Sequence, residues 1–219
     1  GKAGDVAAVG PLRQYRIGQR TGEFDRLPAE LIGRPEAMKE ALLDAAGKAY
    51  ELIDMGKQHG RHPRIGAVDT IEIYPAKDIT IEDCKEFAEE LGQELHKRYD
   101  VPIYFTGKNA RRPENEGLTF IRKGNYEGLK EAVLVDPERA PDIGPAKLHP
   151  TAGATIVGAL EEHDAYFNVL LDTTDLSIAK KLASYVRGKH GGFTNIQGVS
   201  VYLRLIVERA GLAWQCPAK

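Results

Sequence analysis

Two cysteines in 219 residues, Cys84 and Cys216, stand far apart in the chain. With no C-x-x-C and no Cys/His spacing, neither a disulfide framework nor a zinc module has ligands to build on. Cys84 falls on the apolar face of an expected helix, where a thiol behaves as a small buried hydrophobe. A reducing, cytoplasmic setting is the expectation. No run of about eighteen apolar residues occurs, and no charged-then-apolar leader opens the chain at Gly1; neither a membrane span nor a secretion signal is expected. An excess of one charge is missing too. The 30 Lys and Arg are balanced by 32 Asp and Glu, which gives no electrostatic case for nucleic acid. P-loop, G-x-S-x-G and G-x-G-x-x-G patterns are absent, which removes the motif-borne phosphate, serine-hydrolase and dinucleotide readings.

What is present is a chain 42% hydrophobic and 28% charged, long enough to bury one large core or two small ones. Residues 1–24, rich in Gly, Arg and Lys, show no sustained period and predict a poorly anchored start. A short apolar patch at 27–31 predicts the end of a strand, and Gly33-Arg34-Pro35 opens a helix with proline in its first turn. Met38, Leu42, Ala45, Ala46, Ala49, Leu52 and Ile53 make one helical stripe over 36–57, which Gly56 or Gly60 can end. Alternation at 67–74 predicts a strand with Ile71 and Ile73 inward. Thr80 with Glu82 and Asp83 predicts a capped helix to Tyr99. A strand at 101–106 follows, closed by Gly107.

Residues 108–150 form a long polar connection with helical pieces near 118–123 and 127–133; a compact domain seldom keeps such a stretch without a use for it. Strands are expected at 153–160, 166–171 and 199–205, with a helix at 176–187 capped by Thr174. The expected fold class is α/β (α+β): two ferredoxin-like α/β layers, the second incomplete.

Three constellations could carry chemistry. Between the first long helix and the following strand, HGRHPRIGAVD gathers His59, Arg61, His62, Pro63, Arg64 and Asp69 into eleven residues. Such a mixture is poorly suited to a core. His62 can give and take protons near neutral pH, its charge favoured by Asp69 if the turn folds back and opposed by the arginines. The bland alternative is a histidine that merely stabilises the loop. His59 is expected to help finish the preceding helix. Zinc is disfavoured, because two arginines inside the cluster would repel it and Pro63 breaks the turn. The second constellation is Gly144-Pro145-Ala146-Lys147-Leu148-His149-Pro150-Thr151-Ala152-Gly153. Two glycines and two prolines make a shaped loop able to offer backbone groups to a flat heterocycle, or else a plain linker. The third is the basic run Lys108, Arg111, Arg112, Arg122 and Lys123, read as a solvated face or, less simply, as a device that steers an anionic ligand.

The first segment, with Leu31-Ile32-Gly33-Arg34-Pro35-Glu36, Ile53-Asp54-Met55, Arg112-Pro113-Glu114, Ile121-Arg122-Lys123-Gly124 and Ala140-Pro141-Asp142-Ile143-Gly144-Pro145 running into His149-Pro150-Thr151-Ala152-Gly153-Ala154-Thr155, closely resembles the glutamate formiminotransferases. The resemblance runs from residue 25 to residue 201. It implies an N-terminal subdomain at 1–162, with 1–24 atypical, and part of a C-terminal subdomain at 163–219. It also implies transfer of a formimino group from N-formimino-L-glutamate to N5 of tetrahydrofolate, the co-substrate, in histidine degradation, with no metal. His62 would be the catalytic histidine, and residues 144–153 the folate-binding loop. Arg64 would hold a glutamate carboxylate. A homodimer is carried over as the assembly, with no nucleic-acid or membrane partner. The chain departs from its relatives in lacking their Asn-Phe-Ser-Glu-Gly opening loop and in carrying Leu160 where they keep an arginine. A folate-binding protein without turnover and a ligand-free scaffold are the alternative functions.

Overall fold

The computed structural model describes residues 6–12, 27–59, 62–76, 78–161, 169, 171–193, 196, 204–209 and 212–217. The chain divides into two compact units, residues 1–164 and 165–219. In the first unit, strands β1 (Val6–Leu12) and β2 (Leu27–Gly33) precede helix α1 (Pro35–Leu52), strand β3 (Thr70–Pro75), helix α2 (Ile81–Tyr99) and strand β4 (Ile103–Gly107). Helices α3 (Leu118–Ile121) and α4 (Asn125–Val135) and strand β5 (Thr155–Ala159) follow.

The five strands form one mixed sheet in the order β2-β1-β3-β5-β4. β1 runs antiparallel to both neighbours, and β5 runs parallel to β3 and β4. Thus α1 joins two parallel strands with β1 inserted between them, and α2 joins two with β5 inserted. Each is a split βαβ crossover, the grain of the ferredoxin-like expectation, and the α/β class stands. β1 corrects the expected poorly anchored start. Its sequence VAAVGPL alternates too briefly before Gly10-Pro11 to be read alone. Val6 nonetheless pairs with Gly33 on one side and Pro75 on the other.

Side-chain period sorts the sheet's two faces. On β4, Ile103 and Phe105 face α2, where Gly92 leaves room for the Phe105 ring. Tyr104 and Thr106 point the other way and donate their hydroxyls to the carbonyls of Arg139 (2.6 Å) and Glu116 (3.3 Å). The 108–150 connection therefore has its use: it is the layer on the second face. Every residue of β5 is buried, as expected of a parallel strand covered on both sides. Asp142 carries this layer onto the edge of β4, accepting a 2.7 Å hydrogen bond from the Phe105 N–H; burial pushes its carboxyl above the usual range.

α1 ends at Leu52, not at Gly56 or Gly60, with the Ile53 N–H on the Ala49 carbonyl and no glycine in the cap. The chain turns there because Ile53 and Met55 are drawn into the core. α2 has the expected start: Thr80 and Asp83 form a reciprocal capping box. Cys84 is buried on α2, and burial raises its thiol to about 11.

In the second unit, α5 (Leu176–Val186) is capped by Asp175, which accepts from the Ser177 N–H at 2.8 Å; Thr174 is not the cap. Strands β6 (Arg204–Arg209) and β7 (Leu212–Pro217) pair antiparallel. β6 is displaced toward the C-terminus from the expected 199–205, whose first residues lie outside those described. The strand expected at 166–171 lies almost wholly outside them too. Among the described residues no helix is long and apolar enough to cross a membrane.

Thr80→Ala removes the hydroxyl half of the capping box, the acceptor of the Asp83 N–H, and leaves the backbone half in place; it should cost about 1 kcal/mol, read as a lower urea midpoint at unchanged slope.

Candidate active site

His62 and Pro63 are exposed, yet Arg64 and the next six residues are buried. The segment dives because its backbone is sewn to the end of the 144–153 loop. The Met55 N–H donates to the Thr151 carbonyl (2.7 Å), the Ala67 N–H to that of Ala152 (2.9 Å), and the Ala154 N–H to that of Ile65 (3.1 Å). Gly66 and Gly153 face each other across this seam. A Cβ on Gly66 would run into the Ala154 carbonyl, and one on Gly153 into that of Ile65, where φ is also +77°. Only glycine fits either place. Two of the three sequence constellations therefore form one structure.

Within the seam the two histidines take opposite tautomers. His62 Nδ1 lies 2.9 Å from the Pro63 carbonyl, which can only accept, so Nδ1 carries the hydrogen and the neutral ring's lone pair is on Nε2. His149 Nδ1 instead accepts from the N–H groups of Ala152 (3.0 Å) and Thr151 (3.3 Å); its neutral ring carries the hydrogen on Nε2. One ring presents a base nitrogen, the other a donor. His149 also closes its own turn, exchanging two backbone hydrogen bonds with Gly153, while Leu148 is buried and Lys147 exposed.

Asp69 accepts from the Ile65 N–H at 2.7 Å and pairs with Arg122 at 2.6 Å, both on the buried side of the loop. The same Arg122 nitrogen reaches the Thr70 hydroxyl at 2.6 Å. Asp69 thus braces the turn from within. Thr155 donates to the Val68 carbonyl (2.8 Å), leaving its oxygen to accept from Tyr50 of α1 (2.7 Å); burial drives the Tyr50 hydroxyl well above its ordinary range.

Arg64 has an internal partner. Its side chain is 2% exposed, and its two terminal nitrogens grip Glu127 of α4 at 2.8 and 2.6 Å. One of them also reaches the Gln58 carbonyl at 2.7 Å. A bidentate fork of this kind is directional and strong, so in this arrangement the guanidinium is committed to Glu127. The hydrogen bonds from Arg64 hold the Glu127 carboxyl below its ordinary value, with a smaller electrostatic push from His59. The pair is whole above the ordinary carboxylate range and is lost as pH falls through the depressed value. His59 is exposed in the loop, beyond the end of α1, and finishes no helix.

The basic run is not simply a solvated face. Arg111 lies over the Phe105 ring at 4.9 Å and pairs with Glu89 at 2.6 Å. Arg112 donates to the Glu138 and Ala140 carbonyls, Arg122 holds Asp69, and Lys108 meets Glu161. Arg111 and Arg122 thereby tie the 108–150 layer to the sheet. Glu127 and Tyr126, whose hydroxyl donates to the Pro150 carbonyl at 3.3 Å, carried no sequence signal beyond an acid in a helix's first turn. Among the described residues no group of three His, Cys, Asp or Glu side chains could hold a metal ion.

Residues 18–160 match the family model of the formiminotransferase domain, N-terminal subdomain. The chain belongs to that family. It is 40% identical over 173 residues to a glutamate formimidoyltransferase of Streptococcus pyogenes serotype M1, covering 79% of this chain and 57% of that protein. It is 39% identical over 158 residues to a glutamate formimidoyltransferase of Thermoplasma acidophilum, covering 71% and 51%. With the formimidoyltransferase-cyclodeaminase of Sus scrofa it shares 39% over 176 residues, 78% of this chain and 32% of that one. The chain thus spans little more than half, or less, of the relatives it matches. The seam joining His62 to the 144–153 loop lies wholly inside the part matched as the formiminotransferase N-terminal subdomain.

In this formiminotransferase subdomain Gly66→Ala should cost about 3 kcal/mol, since two stretches of backbone must part. Gly117→Ala, whose added Cβ meets nothing within 4 Å, should stay near wild type in the same urea titration.

Proposed function

We propose that this chain carries the catalytic half-site of a glutamate formiminotransferase, moving the formimino group of N-formimino-L-glutamate to N5 of tetrahydrofolate. The observation that carries the reading is the backbone seam between the His62 segment and the 144–153 loop. It brings a titratable imidazole and a polar, shaped loop into one structure, as a two-substrate transfer requires. The names of the relatives supply the group transferred.

Tetrahydrofolate supplies the attacking nitrogen and accepts the formimino carbon. His62 Nε2 takes the proton that N5 loses as the new N–C bond forms. The same proton is then given to the glutamate nitrogen, so that the old C–N bond breaks with a neutral amine leaving. One imidazole serving as base and then acid is worth about 10²–10⁴-fold. The tautomer suits the order of events, because Nδ1 is already donating to Pro63 and Nε2 begins as the base.

Along the 144–153 loop, Lys147 offers an ammonium group and His149 an Nε2–H donor. Both suit a flat heterocycle bearing an acidic tail. Arg64 holds the catalytic loop through Glu127; binding a substrate carboxylate would require Glu127 to give way first. An exchange of partners of that kind would make Arg64 a ligand only in the loaded state.

His62→Ala should lower formimino transfer by about 10²–10⁴-fold while tetrahydrofolate binding, followed by calorimetry, is retained. Binding with no turnover in the wild type would make the chain a folate-binding module, and absence of both would leave a scaffold.

A further inference from the structure

The first turn of α4 touches both loops of the site, and it does so with adjacent residues. Tyr126 donates to the Pro150 carbonyl of the 144–153 loop. Glu127 takes both terminal nitrogens of Arg64, two residues after His62. We infer that Glu127 is a positioning residue for His62, acting through Arg64; the inference rests on the formimino-transfer reading of the site.

The coupling has a mechanical basis. Between His62 and Arg64 stands Pro63, whose ring fixes its φ, so the backbone there has little freedom to absorb a displacement of Arg64. His62 Nδ1 is itself tied to the Pro63 carbonyl at 2.9 Å. The ring's orientation therefore follows the peptide that Arg64 anchors. On the other side, the nitrogen of Arg64 that meets Glu127 at 2.6 Å also meets the Gln58 carbonyl at 2.7 Å. One guanidinium thereby closes the loop from residue 58 to residue 64 and fastens it to α4.

Glu127 is placed to hold without filling. Its side chain is 52% exposed, against 2% for Arg64. Truncating it opens no hole in the core, yet leaves a buried guanidinium without its counter-charge, since Arg64 Nε has no hydrogen-bond partner either. A cation in that position seeks another acceptor or water, and it takes Pro63 and His62 with it. Glu127 also lies in the first turn of α4, where the helix dipole favours a carboxylate. The expected consequence is a loss in kcat, because the imidazole is displaced while the loop that binds folate keeps its own backbone seam.

The test compares Glu127→Ala, Glu127→Gln and the control Glu131→Gln, an exposed acid of the same helix. Readouts are steady-state formimino transfer, tetrahydrofolate binding by calorimetry, and the NMR signals of the His62 ring, assigned by their disappearance in His62→Ala. Glu127→Ala should lower kcat by about tenfold or more with both Michaelis constants within about twofold of wild type, and should shift or broaden the His62 ring signals. Glu127→Gln, which keeps one acceptor oxygen for the Arg64 fork, should recover part of the kcat. Glu131→Gln should match wild type throughout. Wild-type kcat with unmoved His62 signals in Glu127→Ala would overturn the inference. So would a loss carried by the Michaelis constants alone. If Glu127→Ala does not fold, Glu127→Gln is judged by the same His62 signals. If the wild type transfers no formimino group, the function proposed above falls, and the His62 signals by themselves still decide whether Glu127 positions that ring.

Discussion

Where Gly66 and Gly153 cross, two stretches of backbone approach too closely for a methyl group on either. Much else hangs on that contact. It permits the hydrogen bonds from Ala67 and Ala154 that sew one loop to the other, and it sets β5 beside β3 in a register where Thr70 faces Ile156. It also forces the chain after Pro63 below the surface, so that Arg64 and Asp69 become buried charges in need of partners. Glu127 and Arg122 supply those partners, and both come from the layer that covers the second face of the sheet. A buried charge that loses its partner is costly, which is why the layer, the loop and the sheet behave as one object.

That layer explains a segment that looks wasteful as sequence. Residues 108–150 hold only short helices joined by irregular backbone, and three of their arginines, Arg111, Arg112 and Arg139, end on carbonyl oxygens. Arg139 reaches the Ile121 and Lys123 carbonyls and lies 4.9 Å over the Phe120 ring. Arg112 and Arg111 cap carbonyls further along. A guanidinium has five donors in a rigid fork and satisfies irregular backbone where no helix or strand does so. Charge in this connection acts as internal scaffolding.

The fold was legible wherever a pattern is local. α2 was legible from its Thr80 cap to about Tyr99, because a capping threonine with acids in the first turn and an apolar stripe through Leu95 are local features of the chain. Ile71 and Ile73 announced the inner face of β3 by alternation. β1 was not legible, because its strand character comes from pairing on both sides. Likewise the end of α1 was expected at a glycine, whereas burial of Ile53 and Met55 ended it sooner. Of the site, the histidine segment and the glycine–proline loop stood out by composition alone. Their union did not, since it depends on backbone hydrogen bonds between residues far apart in the chain.

By itself the sequence determined the α/β class, the two loops that carry titratable and shaped residues, and the family through its ordered motifs. These are properties of neighbouring residues and of period, which a linear chain displays directly. Tertiary structure alone decided the partner of each charge. Arg64, which the resemblance offers as the holder of a glutamate carboxylate, grips Glu127, 63 positions away; Asp69 braces Ile65 and Arg122. A charge taken from water is held by whichever opposite group the fold brings within hydrogen-bonding reach, and that reach is measured through space.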